Sequence, residues 1–135
     1  MSRIRGKDTK PEMTVRRIVH GLGRRYRLHR RDLPGSPDLV LARLRKVIFV
    51  HGCFWHRHQP CPRFCMPKSR VAYWTARLQR NVARDRRNVS GLRRLGWSVL
   101  VVWECETKNP EKLSLRLARF LGASARGKPF KFREQ

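Results

Sequence analysis

Three soft or borderline metal ligands, Cys53, His58 and Cys61, lie within nine residues of one another, and a fourth, Cys105, follows the apolar run ending in VVWE. Zn2+ favours four-coordinate sites of thiolate and imidazole, and three cysteines with one histidine are a common structural set. The spacing Cys-x4-His-x2-Cys is not the usual CxxC knuckle. A buried core thiol at Cys105 with incidental loop cysteines is therefore the competing reading, and Cys65 competes with Cys61 for the third position. His56 and His58 lie two apart and on an extended chain would point opposite ways, so one can bind zinc while the other faces elsewhere.

Only 9 residues are acidic against 33 Lys and Arg, which makes each carboxylate informative. Asp38 opens a strand directly after the turn chemistry of PGSP. There it can hold Mg2+ at a sheet edge, or simply bond local amides as turn aspartates do. Asp85 falls on the apolar stripe of a helix. A buried, unpaired carboxylate is costly, so Asp85 requires a partner. That partner is either His56, which the pairing would orient as a base, or a surface arginine if the stripe drifts. Glu12 stands three residues after Thr9, as in a capping box. His51 ends an apolar strand, and Phe54 and Trp55 sit in the middle of the candidate zinc loop.

These residues need a scaffold, and 135 residues suffice for one domain with one modest core. The segment from Thr9 to Gly21 or Gly23 reads as a helix, with Pro11 in its first turn. RYRLHR reads as an edge strand. Asp38 to Ala42 and Lys46 to Val50 form a hairpin around a tight basic turn. Residues 51–69 have no periodicity, and so long a loop in a small domain needs something to tie it down. A helical stripe runs from Ser69 to Leu95, with a possible break near Asn88–Ser90 that would split it in two. WSVLVVW is a buried strand, and Asn109-Pro110 starts a last helix carrying Leu113, Leu117 and Leu121. The expected architecture is α/β, in the order α-β-β-β-α-β-α: a small mixed sheet flanked by helices, with a structural zinc site. One domain spans 1–121, with its loop at 51–69, and a basic, loose tail spans 122–135.

The formal net charge of +24 names the partner class. Self-repulsion of that size is relieved by a polyanion, and nucleic acid binding would be strongly salt-dependent. Val47 to Val50 is too short to span a membrane, and MSRIRGKDTK holds no apolar segment, so neither a membrane span nor a secretory leader is expected. Without export, clustered cysteines and histidines favour a metal over disulfides.

The blocks LPGSPDLV, VIFVHGCFWHRH, NVARDRRN and LGWSVLVVWEC resemble the very short patch repair endonucleases, bacterial enzymes that nick DNA beside a T:G mismatch left by deamination of 5-methylcytosine. The similarity runs from about Lys7 to Leu121. It implies a single restriction-endonuclease-like domain, a variant of the PD-(D/E)xK nucleases in which Pro37-Asp38 supplies the PD and the segment ending in His51 replaces the usual E-x-K. It further implies that Asp38 and the backbone carbonyl of Val50 hold Mg2+, while Glu12 reaches the hydrated ion through water. His56, held by Asp85, is the implied general base, with His51 a second histidine at the phosphate or the metal waters. Cys53, His58, Cys61 and Cys105 are the implied zinc set. Phe54, Trp55 and Trp74 are the implied wedge that enters the base stack, although on composition alone large aromatics are more often core. Zinc at both ends of a four-residue segment would let those rings stay exposed.

The expected partner is double-stranded DNA in the bacterial cytoplasm, at the nucleoid, with the nick passed to mismatch-repair proteins and a repair polymerase; a nick on one strand suggests a monomer. The alternative from the residues alone is a non-catalytic, zinc-stabilised basic domain that grips nucleic acid. Asp38, Asp85, His51 and His56 discriminate, because gripping needs none of them.

Overall fold

The computed structural model describes residues 9–58, 61 and 65–122. Residues 123–135 of the expected tail and 59–60 and 62–64 of the expected loop lie outside the described residues.

Helix α1 spans Lys10–Gly21. Thr9 caps it, accepting from the Glu12 N–H at 3.3 Å, and Pro11 sits where a missing N–H costs nothing. The Glu12 carboxylate belongs elsewhere than its expected capping role. It is buried and reaches Arg16 and His29. Strands β1 (Arg27–Leu28), β2 (Leu39–Leu41) and β3 (Lys46–His51) form an antiparallel meander with β1 at the edge. The basic turn between β2 and β3 is a 3-10 turn at Ala42–Leu44 closed by Arg45 in the left-handed region, φ 57. Strand β4 (Ser98–Trp103) adds parallel to β3, Lys46 against Ser98 through to His51 against Trp103. Helix α2 (Val71–Arg94) makes that crossover, and α3 (Pro110–Leu121) follows β4, capped by Asn109.

The strand alternation sorts the core into two layers. Leu39, Leu41, Ile48 and Val102 face Val15 and Val19 of α1 and Leu113, Leu117 and Leu121 of α3. Val40, Val47 and Phe49 face Leu92 of α2, with Leu33 and Trp97. Each fully buried leucine here contributes about 1.5–3 kcal/mol. On β3 the period of two puts His51 on the side of Val47 and Phe49, the α2 side.

The expected break at 88–90 does not occur, and α2 is one helix of 24 residues. The residues that look like a break are docking points. Gly91 lies against Pro34, where a Cβ would come within 3.5 Å of the proline ring, and Asn88 lies against Gly35. Leu33-Pro34-Gly35-Ser36 is a turn closed by Ser36 N–H donating to Leu33 O at 3.0 Å, with Gly35 at φ +78. That conformation favours glycine, and a Cβ would also approach Asn88 to 2.9 Å. Glycine at this position lets the loop before Asp38 dock on α2 without strain.

Candidate active site

The carboxyl end of β3 meets α2 at one corner, where the sequence-derived residues converge. Leu78, Asp85 and Leu92 recur every seven residues on α2, and both leucines are fully buried. Asp85 is thus held on the inward stripe. Its Oδ2 lies 2.6 Å from His56 Nδ1. Of the two partners open to it, Asp85 takes the imidazole. A carboxylate on Nδ1 keeps the proton on that nitrogen and leaves a lone pair on Nε2.

His56 reaches this point through a compact turn. His56 N–H donates to Gly52 O at 3.2 Å, Arg57 N–H to Phe54 O at 3.0 Å, and His58 N–H to Cys53 O at 2.8 Å. Arg57 takes φ 50, and Asn81 of α2 donates to Trp55 O at 3.0 Å. His51 stacks on His56, centroids 3.7 Å apart and planes at 3°. Burial, with His56 beside it, pushes the His51 imidazole down to about 3, so it is neutral. Its Nδ1 is buried without a hydrogen-bond partner among the described residues.

Asp38 approaches from the other side. Its Oδ2 accepts the Val50 N–H at 2.7 Å, and Oδ1 lies 3.7 Å from His29 Nε2. Burial pushes the Asp38 carboxyl up to about 7, the neighbouring Glu12 adds to the rise, and the Val50 N–H and Arg16 oppose it. A cleft of about 440 Å³ holds His29, Asp38, Val50, His51, His56 and Asp85 in its lining, together with Arg31 and Arg84.

His29 was absent from the sequence-derived site. Its signal was register: continuing the pairing Arg27–Val40 and Leu28–Leu39 by one step sets His29 opposite Asp38. His29 N–H indeed donates to Asp38 O at 3.2 Å, with His29 in the left-handed region at φ 46.

The thiol cluster lies just beyond. One donor atom from each of Cys53, His58, Cys61 and Cys105 lies within 4.8 Å of the others. Cys65 is exposed and is not one of this group, whereas Cys61 is. The His58 ring stacks on Trp103 at 4.0 Å and sets its Nδ1 3.6 Å from Cys105 Sγ. Burial pushes the Cys53 thiol up to about 12, the Cys105 backbone amide opposes the rise, and the Cys105 and Cys61 thiols add to it. Three thiols and an imidazole converging in this way fit a tetrahedral metal.

Phe54, Trp55 and Trp74 form a cluster of their own, with centroids 5.0 Å apart for Phe54–Trp55, 5.6 Å for Phe54–Trp74 and 5.9 Å for Trp55–Trp74. All three are half-buried and belong to neither core layer. No helix among the described residues is long and apolar enough to cross a membrane.

Comparison with known proteins places the chain in a family. A family profile described as DNA mismatch endonuclease Vsr matches residues 1–63. The type II nicking enzyme V.XorIIP of Xanthomonas oryzae pv. oryzae is 48% identical over 124 residues, 92% of this chain and 90% of that protein. The DNA mismatch endonuclease Vsr of Escherichia coli is 44% identical over 114 residues, 84% of this chain and 72% of that protein. The type II nicking enzyme V.NmeAIP of Neisseria meningitidis is 40% identical over 121 residues, 90% of this chain and 86% of that protein. With a carboxylate–imidazole cleft at the end of its mixed sheet and identities of this size along most of its length, the chain belongs to the Vsr family of DNA mismatch endonucleases, a family of DNA-cleaving hydrolases.

Proposed function

We propose that this protein nicks one strand of double-stranded DNA beside a T:G mismatch, hydrolysing a phosphodiester in the Asp38–His56 cleft to leave a 3′ hydroxyl and a 5′ phosphate. The observation that carries the chemistry is the 2.6 Å His56–Asp85 pair facing the same cleft as Asp38. The non-catalytic alternative has no use for a polarised imidazole and a buried carboxylate set opposite each other, and the family is one of enzymes.

The donor set fits a divalent ion, read as Mg2+. Asp38 and Glu12 supply carboxylates. Val50 supplies a carbonyl on the same side, since a strand residue's N–H and C=O point to one edge and its N–H meets Asp38. A bound ion there would polarise the phosphate and stabilise the leaving 3′ oxygen. The protein's own groups do the rest. His56 Nε2 takes the proton of the attacking water, while Asp85 stabilises the resulting imidazolium. His51, kept neutral by burial, offers a ring nitrogen to the phosphate without adding charge. Arg31 and Arg84 supply guanidinium contacts in the same cleft.

Zn2+ fits Cys53, His58, Cys61 and Cys105 and would clamp the segment that carries the rings. Phe54, Trp55 and Trp74, held outside both cores, would enter the base stack as a wedge. Unstacking costs a few kcal/mol and least at a mispaired base, which gives the mismatch its advantage. In this reading the enzyme works in the bacterial cytoplasm at the nucleoid, as a monomer, and passes its nick to mismatch-repair proteins and a repair polymerase. The test is nicking of matched duplexes carrying T:G or C:G, with and without Mg2+. Strand-specific cleavage of T:G alone, lost in Asp38→Asn with DNA binding retained, is expected. Equal cleavage of both duplexes, or full activity of Asp38→Asn, refutes it.

A further inference from the structure

We propose that His29 is a direct donor to the ion at Asp38 and Glu12, so that the site is a mixed carboxylate–imidazole one and takes a first-row transition ion such as Mn2+ in preference to Mg2+. The proposal rests on the reading of Asp38 as a metal ligand and deepens it.

The carrying observation is the convergence of three donor atoms. His29 Nε2 lies 2.8 Å from Glu12 Oε2 and is shielded from solvent, and the same nitrogen lies 3.7 Å from Asp38 Oδ1. For metal–donor bonds of about 2.1 Å, neighbouring donors of an octahedron stand about 3 Å apart and opposite ones about 4.2 Å apart. The 2.8 Å to Glu12 Oε2 and the 3.7 Å to Asp38 Oδ1 sit near and within that span, and one donor atom from each of the three residues lies within 4.8 Å of the others.

The backbone supports the placement. His29 adopts φ 46 at the end of β1, a conformation a non-glycine residue holds only where its surroundings require it. Its N–H is tied to the carbonyl of Asp38. The imidazole and the carboxylate are thus mounted on one backbone hydrogen bond and cannot drift apart. Arg16, which also bonds Glu12 Oε2, offsets part of the charge of the two carboxylates. Mg2+ is satisfied by carboxylates, carbonyls and water, and gains little from nitrogen; transition ions gain more from imidazole.

The test uses the full chain with zinc supplied, titrated with Mn2+ alone and then Mg2+ alone. Calorimetry gives the affinities, and electron spin-echo modulation of bound Mn2+ detects a directly bonded ring nitrogen. Wild type should show the nitrogen and bind Mn2+ more tightly than Mg2+. His29→Asn, which tolerates the left-handed backbone and withdraws the ring, should lose the nitrogen signal and about 10- to 100-fold in Mn2+ affinity. Its Mg2+ affinity should change much less. Bound Mn2+ in wild type with no nitrogen signal, or His29→Asn with unchanged signal and affinity, overturns the proposal and leaves the carboxylate site standing. Mn2+ binding unaffected by Asp38→Asn would instead sink the underlying metal reading. The wild-type spectrum is decisive even if the variant fails to fold.

Discussion

Replacing Asp38 with Asn should stabilise the magnesium-free protein while disabling the enzyme. Folding carries the Asp38 carboxyl from its unfolded value of 3.8 up to about 7, by burial first and by Glu12 second. Between those two values the folded state holds a proton that the unfolded state has released, so wild-type stability falls as pH rises through that window. At about 1.36 kcal/mol per unit, the loss reaches about 4 kcal/mol above neutrality. Asn carries no such titration, and its carbonyl can still accept the Val50 N–H. The advantage of the variant should therefore grow from near zero below the unfolded value to a plateau above pH 7. His51 works in the opposite direction. Its imidazole is pushed down from 6.5 to about 3, so it contributes stability that rises with pH across that range. The wild-type curve alone would look flattened, and the difference between the two proteins isolates Asp38. Urea unfolding across this range, in magnesium-free buffer without chelator and with equal zinc, measures it. Saturating Mg2+ should shift the balance back toward wild type, by an amount set by the ratio of its concentration to its dissociation constant. A difference independent of pH, or one that narrows as pH rises without magnesium, refutes the reasoning.

The other expectations follow from the same contacts. Asp85→Asn keeps a hydrogen bond to His56 but no longer holds the proton on Nδ1, so single-turnover nicking should fall about 10²–10⁴-fold with DNA affinity unchanged; loss of affinity alone would point to a structural role. Cys105→Ser should lose bound zinc, measured by atomic absorption, and lower the thermal midpoint; full zinc content with an unchanged midpoint removes Cys105 from the set. Trp55→Ala should abolish the fluorescence rise of 2-aminopurine placed beside the mismatch, and an undiminished rise would show that unstacking does not need the ring. Gly35→Ala places a Cβ within 2.9 Å of Asn88 at φ +78, so it should cost about 1–3 kcal/mol of stability and slow nicking by displacing Asp38; wild-type values for both would separate the turn from the site.

Much of the site was legible because its elements obey a single period. Asp85 shares the stripe of Leu78 and Leu92, so helical spacing alone aims it inward. Asp38 opens and His51 closes strands that their apolar runs identify, and PGSP declares its turn. His29 was hidden because its partner is set by cross-strand register in a strand of only two residues, too short to show a pattern. Glu12 was half legible: the cap is real, but only folding shows that its carboxylate turns away to Arg16 and His29. The apparent break at Asn88 misled for a related reason. Asn, Ser and Gly weaken a helix locally, but here Asn88 and Gly91 are the surface on which the Asp38 loop docks.

Helix α2 lines up three parts of the candidate site. At 1.5 Å per residue, the 11 steps from Trp74 to Asp85 set one ring of the aromatic cluster about 16 Å along the axis from the carboxylate that holds His56, and the three to Asn88 add the anchor for the Asp38 loop. Asn81, between them, holds the carbonyl of Trp55. One helix therefore carries a ring of the aromatic cluster, the carboxylate that holds His56 and the anchor of the Asp38 loop. On the proposed reading, a duplex opened at the rings presents its backbone to the cleft that His56 and Asp85 line. In a chain of net charge +24, any polyanion is drawn to the surface without discrimination. On the proposed reading, selectivity comes from which duplex can yield at the rings while its phosphate reaches His56, and the compact turn that mounts Trp55 beside His56 makes those two conditions one.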